Sequence, residues 1–225
     1  MFTQPVLPYL QQSRTMTITN DKICGVILAG GRSARMHFEN KALLDLGGKP
    51  LIAHVIASAK PQVGQILINA NRDLERFDEL AVPVVTDAYG PAAGPLAGIL
   101  TGMQYARKHF PNTAALACFP VDVPWFPQDI VAQMTAALNS ESTQVAWLCT
   151  AGQWQPLFSL WSLALEETLS AALRDDLYSP MALIRSVPNS LLSIPICEPG
   201  DFENLNTPAD YARAQGLLKG RSHRV

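Results

Sequence analysis

Apolar positions along the chain fall into two alternating kinds of stretch: short continuous runs, and longer runs with helical spacing. Ile23–Leu28 is apolar or glycine at every position, which predicts a strand buried on both faces. Gln65–Asn69 predicts a second strand, residues 82–86 a third and residues 113–119 a fourth. Residues 50–60, 95–110 and 127–139 have helical spacing. Pro50 and Pro95 fall in first turns, where a missing N–H costs nothing. Continuous apolar strands alternating with helices predict an α/β fold, a doubly wound, mostly parallel sheet with helices on both faces.

The later chain is less regular. Residues 144–149 and 155–161 read as two strands around a turn at Ala151 and Gly152. Helices are predicted over residues 163–173 and 179–186, and a strand over 191–196. The final helix has a clear start, with Thr207 as N-cap and Pro208 at the first helical position. No repeat or linker divides this pattern, so residues 21–220 are expected to form a single domain. Residues 1–20, polar and with two prolines, are expected to be a disordered extension, with Met16 as a candidate natural start.

Composition narrows the partners. The 225 residues are 48% hydrophobic and 16% charged, enough apolar material for a real core. Lysine and arginine number 17 against 19 acidic residues, a net charge of −2. That balance speaks against nucleic acid as a partner, which requires a clustered cationic excess. No run approaches the ~20 apolar residues of a membrane-spanning helix, and the first residues lack a secretory-signal pattern. The four cysteines, at 24, 118, 149 and 197, form no CxxC pair. They read as buried reduced thiols and point to a cytoplasmic location.

Chemistry concentrates just after the first strand, in Leu28-Ala29-Gly30-Gly31-Arg32-Ser33-Ala34-Arg35-Met36, with Lys41 following. Loops at that edge of a parallel sheet are where ligands bind. Glycines let backbone N–H groups approach a polyphosphate, and Arg32, Arg35 and Lys41 supply positive charge. Neither GxxxxGK[ST] nor GxGxxG is present, so this is neither a P-loop nor a dinucleotide loop. A dehydrogenase would also place an acid at the end of the second strand, where Asn69 stands. Asp87 ends the third strand and Asp122 follows the fourth, so both project at the same edge as the glycine loop. Gly94-Pro95-Leu96-Ala97-Gly98 opens a helix whose free N–H groups would face it too.

The glycine loop with its lysine, followed by Ile68-Asn69-Ala70-Asn71-Arg72, Val85-Thr86-Asp87, Gly94 to Gly98, Pro120 to Pro124 and Asn204-Leu205-Asn206-Thr207-Pro208, resembles the signature of the MobA-type molybdenum cofactor guanylyltransferases. The likeness runs from Ile23 to about Leu217 in unbroken order. It implies a Rossmann-like nucleotidyltransferase fold and transfer of GMP from GTP to the terminal phosphate of the molybdenum–pterin cofactor, with pyrophosphate released and Mg²⁺ required. It further implies Lys41, Arg35 and Asp122 as catalytic residues, with Asp122 also binding the metal. Leu28, Ala29, Gly30, Gly31, Lys41, Asn69, Asp87, Gly94 and Asp122 would bind the nucleotide, and Asn204 and Asn206 would lie on the acceptor side. Proteins that make or accept the molybdenum cofactor are the implied protein partners.

One Asp beside a triphosphate is sufficient for Mg²⁺, which keeps water and phosphate oxygens among its ligands. The acceptor phosphate is already an anion, so no general base is needed. His37, His54, His109 and His223 are accordingly scattered, with His54 read as a structural or surface residue. The chain departs from the family pattern at His37, where relatives have glycine, and at Asn40, where an acid precedes the lysine. Alternatives stay open: a CMP or sugar-phosphate nucleotidyltransferase, or a non-catalytic nucleotide- or pterin-binding protein of the same fold.

Overall fold

The computed structural model describes residues 17–30, 40–89, 94–140 and 142–221. Among these residues seven strands form one sheet: β1 (Ile23–Leu28), β2 (Gln65–Asn69), β3 (Val84–Val85), β4 (Ala115–Pro120), β5 (Val145–Thr150), β6 (Gln153–Ser162) and β7 (Asn189–Ile194). Their order is β3-β2-β1-β4-β6-β5-β7. β1 pairs parallel with both β2 and β4, β2 with β3, and β5 with β7. β6 alone runs against its neighbours β4 and β5. The mostly parallel sheet predicted from the apolar runs is therefore present, with one reversed strand inserted.

Among the described residues six α-helices cover the sheet: α1 (Leu51–Ala59), α2 (Gly94–His109), α3 (Ile130–Leu138), α4 (Glu166–Arg174), α5 (Pro180–Ser186) and α6 (Pro208–Arg221). Successive side chains of a strand point to opposite faces, so β1 feeds two cores. Ile23 and Ile27 pack with Ile52 and Val55 of α1 and with Ile130, Val131 and Met134 of α3. Cys24, Val26 and Leu28 pack on the other face with Leu96, Leu100 and Met103 of α2, Leu169 of α4 and Ile184 of α5. A third, smaller cluster of Leu46, Leu51, Trp125, Leu205, Tyr211 and Ala214 seats α6 against the loop after β4.

The turn between β5 and β6 has positive φ at both Ala151 (47°) and Gly152 (75°), the mirror-image turn that matches strand twist. It sends β6 back between β4 and β5. Two expected strands are shifted. Residues 82–86 reduce to Val84–Val85, and the strand expected at 191–196 begins at Asn189 and stops before Pro195, which has no N–H for the ladder. The helix expected from residue 127 starts at Ile130. Near the N-terminal side, Ile18 is fastened to the end of α3: its N–H donates to Asn139 Oδ1 (2.8 Å) and its carbonyl accepts from Asn139 Nδ2 (3.1 Å).

From β1 the chain order runs outward both ways, to β2 and β3 on one side and to β4 on the other. That reversal is the topological switch point, and ligands of such sheets bind beyond the C-terminal ends of the strands there.

Candidate active site

The ladder continues one residue past the strands at this edge. Ala29 N–H donates to Asn69 O (2.8 Å), Ala70 N–H to Val85 O (3.0 Å) and Val121 N–H to Leu28 O (3.3 Å). Leu28, Ala29 and Gly30, Asn69, Asp87 and Asp122 are thus brought to one edge by backbone pairing alone.

On the β2–β3 side a polar cluster surrounds Asp87. Asn69, 2% exposed, donates Nδ2 to Asp87 Oδ1 at 2.7 Å. Asn71 Nδ2 donates to Asp87 Oδ2 at 2.8 Å, and Asn71 Oδ1 accepts from the Asp87 N–H at 2.9 Å. Thr101 Oγ1 of α2 reaches Asp87 Oδ1 at 3.4 Å. Glycines make this packing possible. A Cβ at Gly98 would stand 2.4 Å from Asn69 Oδ1, and a Cβ at Gly30 2.8 Å from Asn71 Nδ2. Gly94 begins α2 at φ +64°, a left-handed conformation that glycine adopts at little cost and a residue with a Cβ only under strain.

On the β4 side the centre is a lysine. Lys41 Nζ lies 3.2 Å from Asp122 Oδ2 and 2.5 Å from Asn206 Oδ1. The Lys41 and Asp122 side chains are 14% and 25% exposed, so their pairing is sheltered from full solvent screening. Lys41 sits in a 3-10 turn, Lys41–Leu43, capped by Asn40, whose Oδ1 accepts from the Ala42 N–H (3.2 Å). Asn40 Nδ2 also donates to Asp73 Oδ2 (3.1 Å). An aspartate at position 40 would set like charges together there, so the amide suits this chain's own Asp73.

Asn206 is held from behind. Its N–H and that of Thr207 donate to Asp210 Oδ2 (2.9 and 2.8 Å), while Thr207 Oγ1 accepts from the Asp210 N–H (3.2 Å). This reciprocal cap starts α6. These bonds hold the Asp210 carboxyl down to about 2. The Leu205 N–H donates to the Asp122 carbonyl (2.9 Å), tying the segment before α6 to the loop that carries the carboxylate. Beneath them the Tyr211 hydroxyl is buried with no hydrogen-bond partner among the described residues. Burial, and then the charge of Asp122, push its phenol well above the ordinary range. His54 is structural, as its sequence context implies: Nε2 meets Leu46 O at 2.8 Å and the ring lies edge-on to Trp125.

Of the residues singled out in the sequence, Leu28, Ala29, Gly30, Lys41, Asn69, Asp87, Gly94, Asp122 and Asn206 lie along this edge or at its α2 and α6 starts. Asn204 is exposed. Gly31, Arg32, Arg35 and His37 lie outside the described residues. Asn71, Thr101 and Asp210 carry roles that the sequence reading did not assign. Asn71 stood in a quoted run, and its alternate-residue spacing from Asn69 was the available signal. Among the described residues no cluster of three or more His, Cys, Asp or Glu forms a protein cage for a metal.

The fold has clear counterparts. Molybdopterin-guanine dinucleotide biosynthesis protein A from Archaeoglobus fulgidus superposes with a TM-score of 0.67 at 19% identity, covering 88% of this chain and 99% of that one. A nucleotidyl transferase from Methanothermobacter thermautotroptrophicus gives 0.66 at 21% identity, covering 89% and 99%. The fold and the glycine, lysine and aspartate edge together define an α/β nucleotidyltransferase. The MobA-like NTP transferase domain matches residues 25–190. A molybdenum cofactor guanylyltransferase of Bradyrhizobium sp. (strain ORS 278) is 34% identical over 200 residues, covering 88% of this chain and 94% of that protein. One of Haemophilus influenzae is 34% identical over 199 residues, covering 88% and 98%. The chain belongs to the MobA-like NTP transferase family.

Proposed function

We propose that the enzyme transfers GMP from GTP to the terminal phosphate of the molybdenum–pterin cofactor and releases pyrophosphate. The observation that carries this reading is Lys41. Its ammonium is fixed between the Asp122 carboxylate and the Asn206 amide oxygen, at the edge where Gly30 ends the first strand–loop segment. The relatives named above as molybdenum cofactor guanylyltransferases support guanine and the pterin acceptor.

In this reading an acceptor phosphate oxygen attacks the α-phosphorus of GTP, the bond to the β-phosphate oxygen breaks, and pyrophosphate leaves with the electron pair. An anionic nucleophile needs no proton removed, in keeping with the structural role of His54. Catalysis then consists of placing two anions in line and offsetting charge on the leaving group. Lys41 supplies that charge, with Arg35 as a second cation by family likeness. Asn69 and Asp87 hold the nucleoside and Gly94 flanks it, with Gly31 a further nucleotide contact by family likeness.

The oxygens of Asp122 and Asn206 already converge on one cation, the Lys41 ammonium. Hard oxygen donors of this kind, with phosphate and water completing the shell, suit Mg²⁺. When bound, Mg²⁺ would supply charge neutralisation across the triphosphate oxygens. A cytoplasmic setting is supported by four free cysteines; Cys24 and Cys118 are buried as expected, but Cys149 is half-buried and Cys197 is exposed, and burial pushes the Cys24 thiol up to about 12. Among the described residues no helix is long and apolar enough to cross a membrane. Residues 21–220 would act as one unit, with proteins of cofactor biosynthesis as partners.

The test is to incubate the protein with GTP, Mg²⁺ and molybdenum–pterin cofactor and to look for the guanine dinucleotide. CTP in place of GTP is expected to give little product. Asp122→Ala and Lys41→Ala are each expected to cut turnover by roughly a hundredfold or more, the scale of losing one charge-stabilising group. Near-normal pyrophosphate release in either would remove that residue from the mechanism.

A further inference from the structure

Asn71 lies in a run that family likeness marks but is given no role there, yet both ends of its amide are spoken for. Nδ2 donates to Asp87 Oδ2 (2.8 Å) and Oδ1 accepts from the Asp87 backbone N–H (2.9 Å). Turning the amide over would set oxygen against carboxylate and N–H against N–H, so this pairing fixes one orientation. The same Nδ2 occupies the space a Cβ at Gly30 would need, at 2.8 Å. A side chain pinned at both ends cannot yield as the tip of a free one would. With Asn69 and Thr101 on Oδ1 and Asn71 on Oδ2, Asp87 is aimed from three sides and keeps an acceptor position on Oδ2.

We infer that Asn71 is a positioning residue that aims Asp87, and that Gly30 must be glycine to admit the Asn71 amide. The glycine of the loop then serves the nucleoside side of the site through Asn71, besides any approach to phosphate. This inference rests on the reading of Asp87 as a nucleotide contact.

The inference makes two substitutions interdependent. Gly30→Ala is expected to displace Asn71 and weaken GTP binding by about tenfold, and Asn71→Ala to do about the same. Because each removes the same arrangement, the double variant is expected to bind within about twofold of the weaker single variant rather than with the product of both losses. Asn71→Asp keeps the acceptor for the Asp87 N–H but faces one carboxylate with another, and is expected to bind GTP more weakly than Asn71→Ala. GTP affinity by calorimetry and nucleotide-free melting temperature are read for every variant, so that misfolding is seen as such. Losses that multiply in the double variant, or Asn71→Ala with wild-type affinity, would overturn the inference. Wild-type protein that bound no GTP would instead overturn the nucleotide reading on which it rests.

Discussion

The Tyr211 hydroxyl gains nothing from the cluster of Leu46, Leu51, Trp125, Leu205 and Ala214 around it. An unmade hydrogen bond in such a place costs about 1–3 kcal/mol. Tyr211→Phe keeps the ring and removes the cost, so it is expected to raise the melting temperature; an unchanged or lower value would mean that the hydroxyl has a partner in solution. His54 has the opposite character. Its bond to a carbonyl requires the proton on Nε2, and burial, the largest cause, lowers its pKa below the ordinary 6.5, with Lys49 adding to this and Leu46 and Asp45 opposing. The fold therefore binds fewer protons here than the unfolded chain. Its contribution is whole above about pH 6.5 and is lost as the pH falls through that value towards the folded pKa. Between about pH 7.5 and about pH 5.5 the wild type is expected to lose more melting temperature than His54→Asn, which does not titrate. At this scale the sequence showed which side chains bear charge at the edge. It could not show that Asn206 and Asp122 share Lys41, because that meeting joins residues 165 and 81 positions apart.

Among the elements, α6 shows how a helix start can serve a distant side chain. Thr207 and Asp210 close each other's N–H groups, and the same carboxylate takes the Asn206 N–H, so the cap and the placement of Asn206 are one structure. Thr207→Ala is expected to cost about 1 kcal/mol of stability, as N-cap losses do. It is also expected to lower turnover, because Asn206 is released from its register with Lys41. A stability loss with turnover intact would separate the two. The cap was readable from Thr207-Pro208 alone, and the hairpin from Ala151-Gly152, because both depend on local backbone chemistry. The insertion of β6 between β4 and β5 was not readable. A strand buried at Phe158, Ser159, Leu160 and Trp161 carries no mark of its direction or its neighbours. The short β3 and the shifted β7 lie at the two edges of the sheet, where packing constrains a strand least.

For the whole molecule, alternation of apolar strands with helices was enough to foresee two cores on either side of one sheet. The alternation of Ile23, Ile27 against Cys24, Val26, Leu28 in β1 is that division written in a single strand. Chain order also fixes when the active edge can assemble. Glycine loop, Lys41, Asp87 and Asp122 all precede the β5–β6 hairpin, whereas Asn206 follows it. During synthesis the lysine therefore leaves the ribosome long before the amide that holds it. A growing chain can shape most of its nucleotide side early, but it has no finished centre until the segment before α6 has emerged and docked. A phosphorylated acceptor would meet a competent catalyst only after that docking.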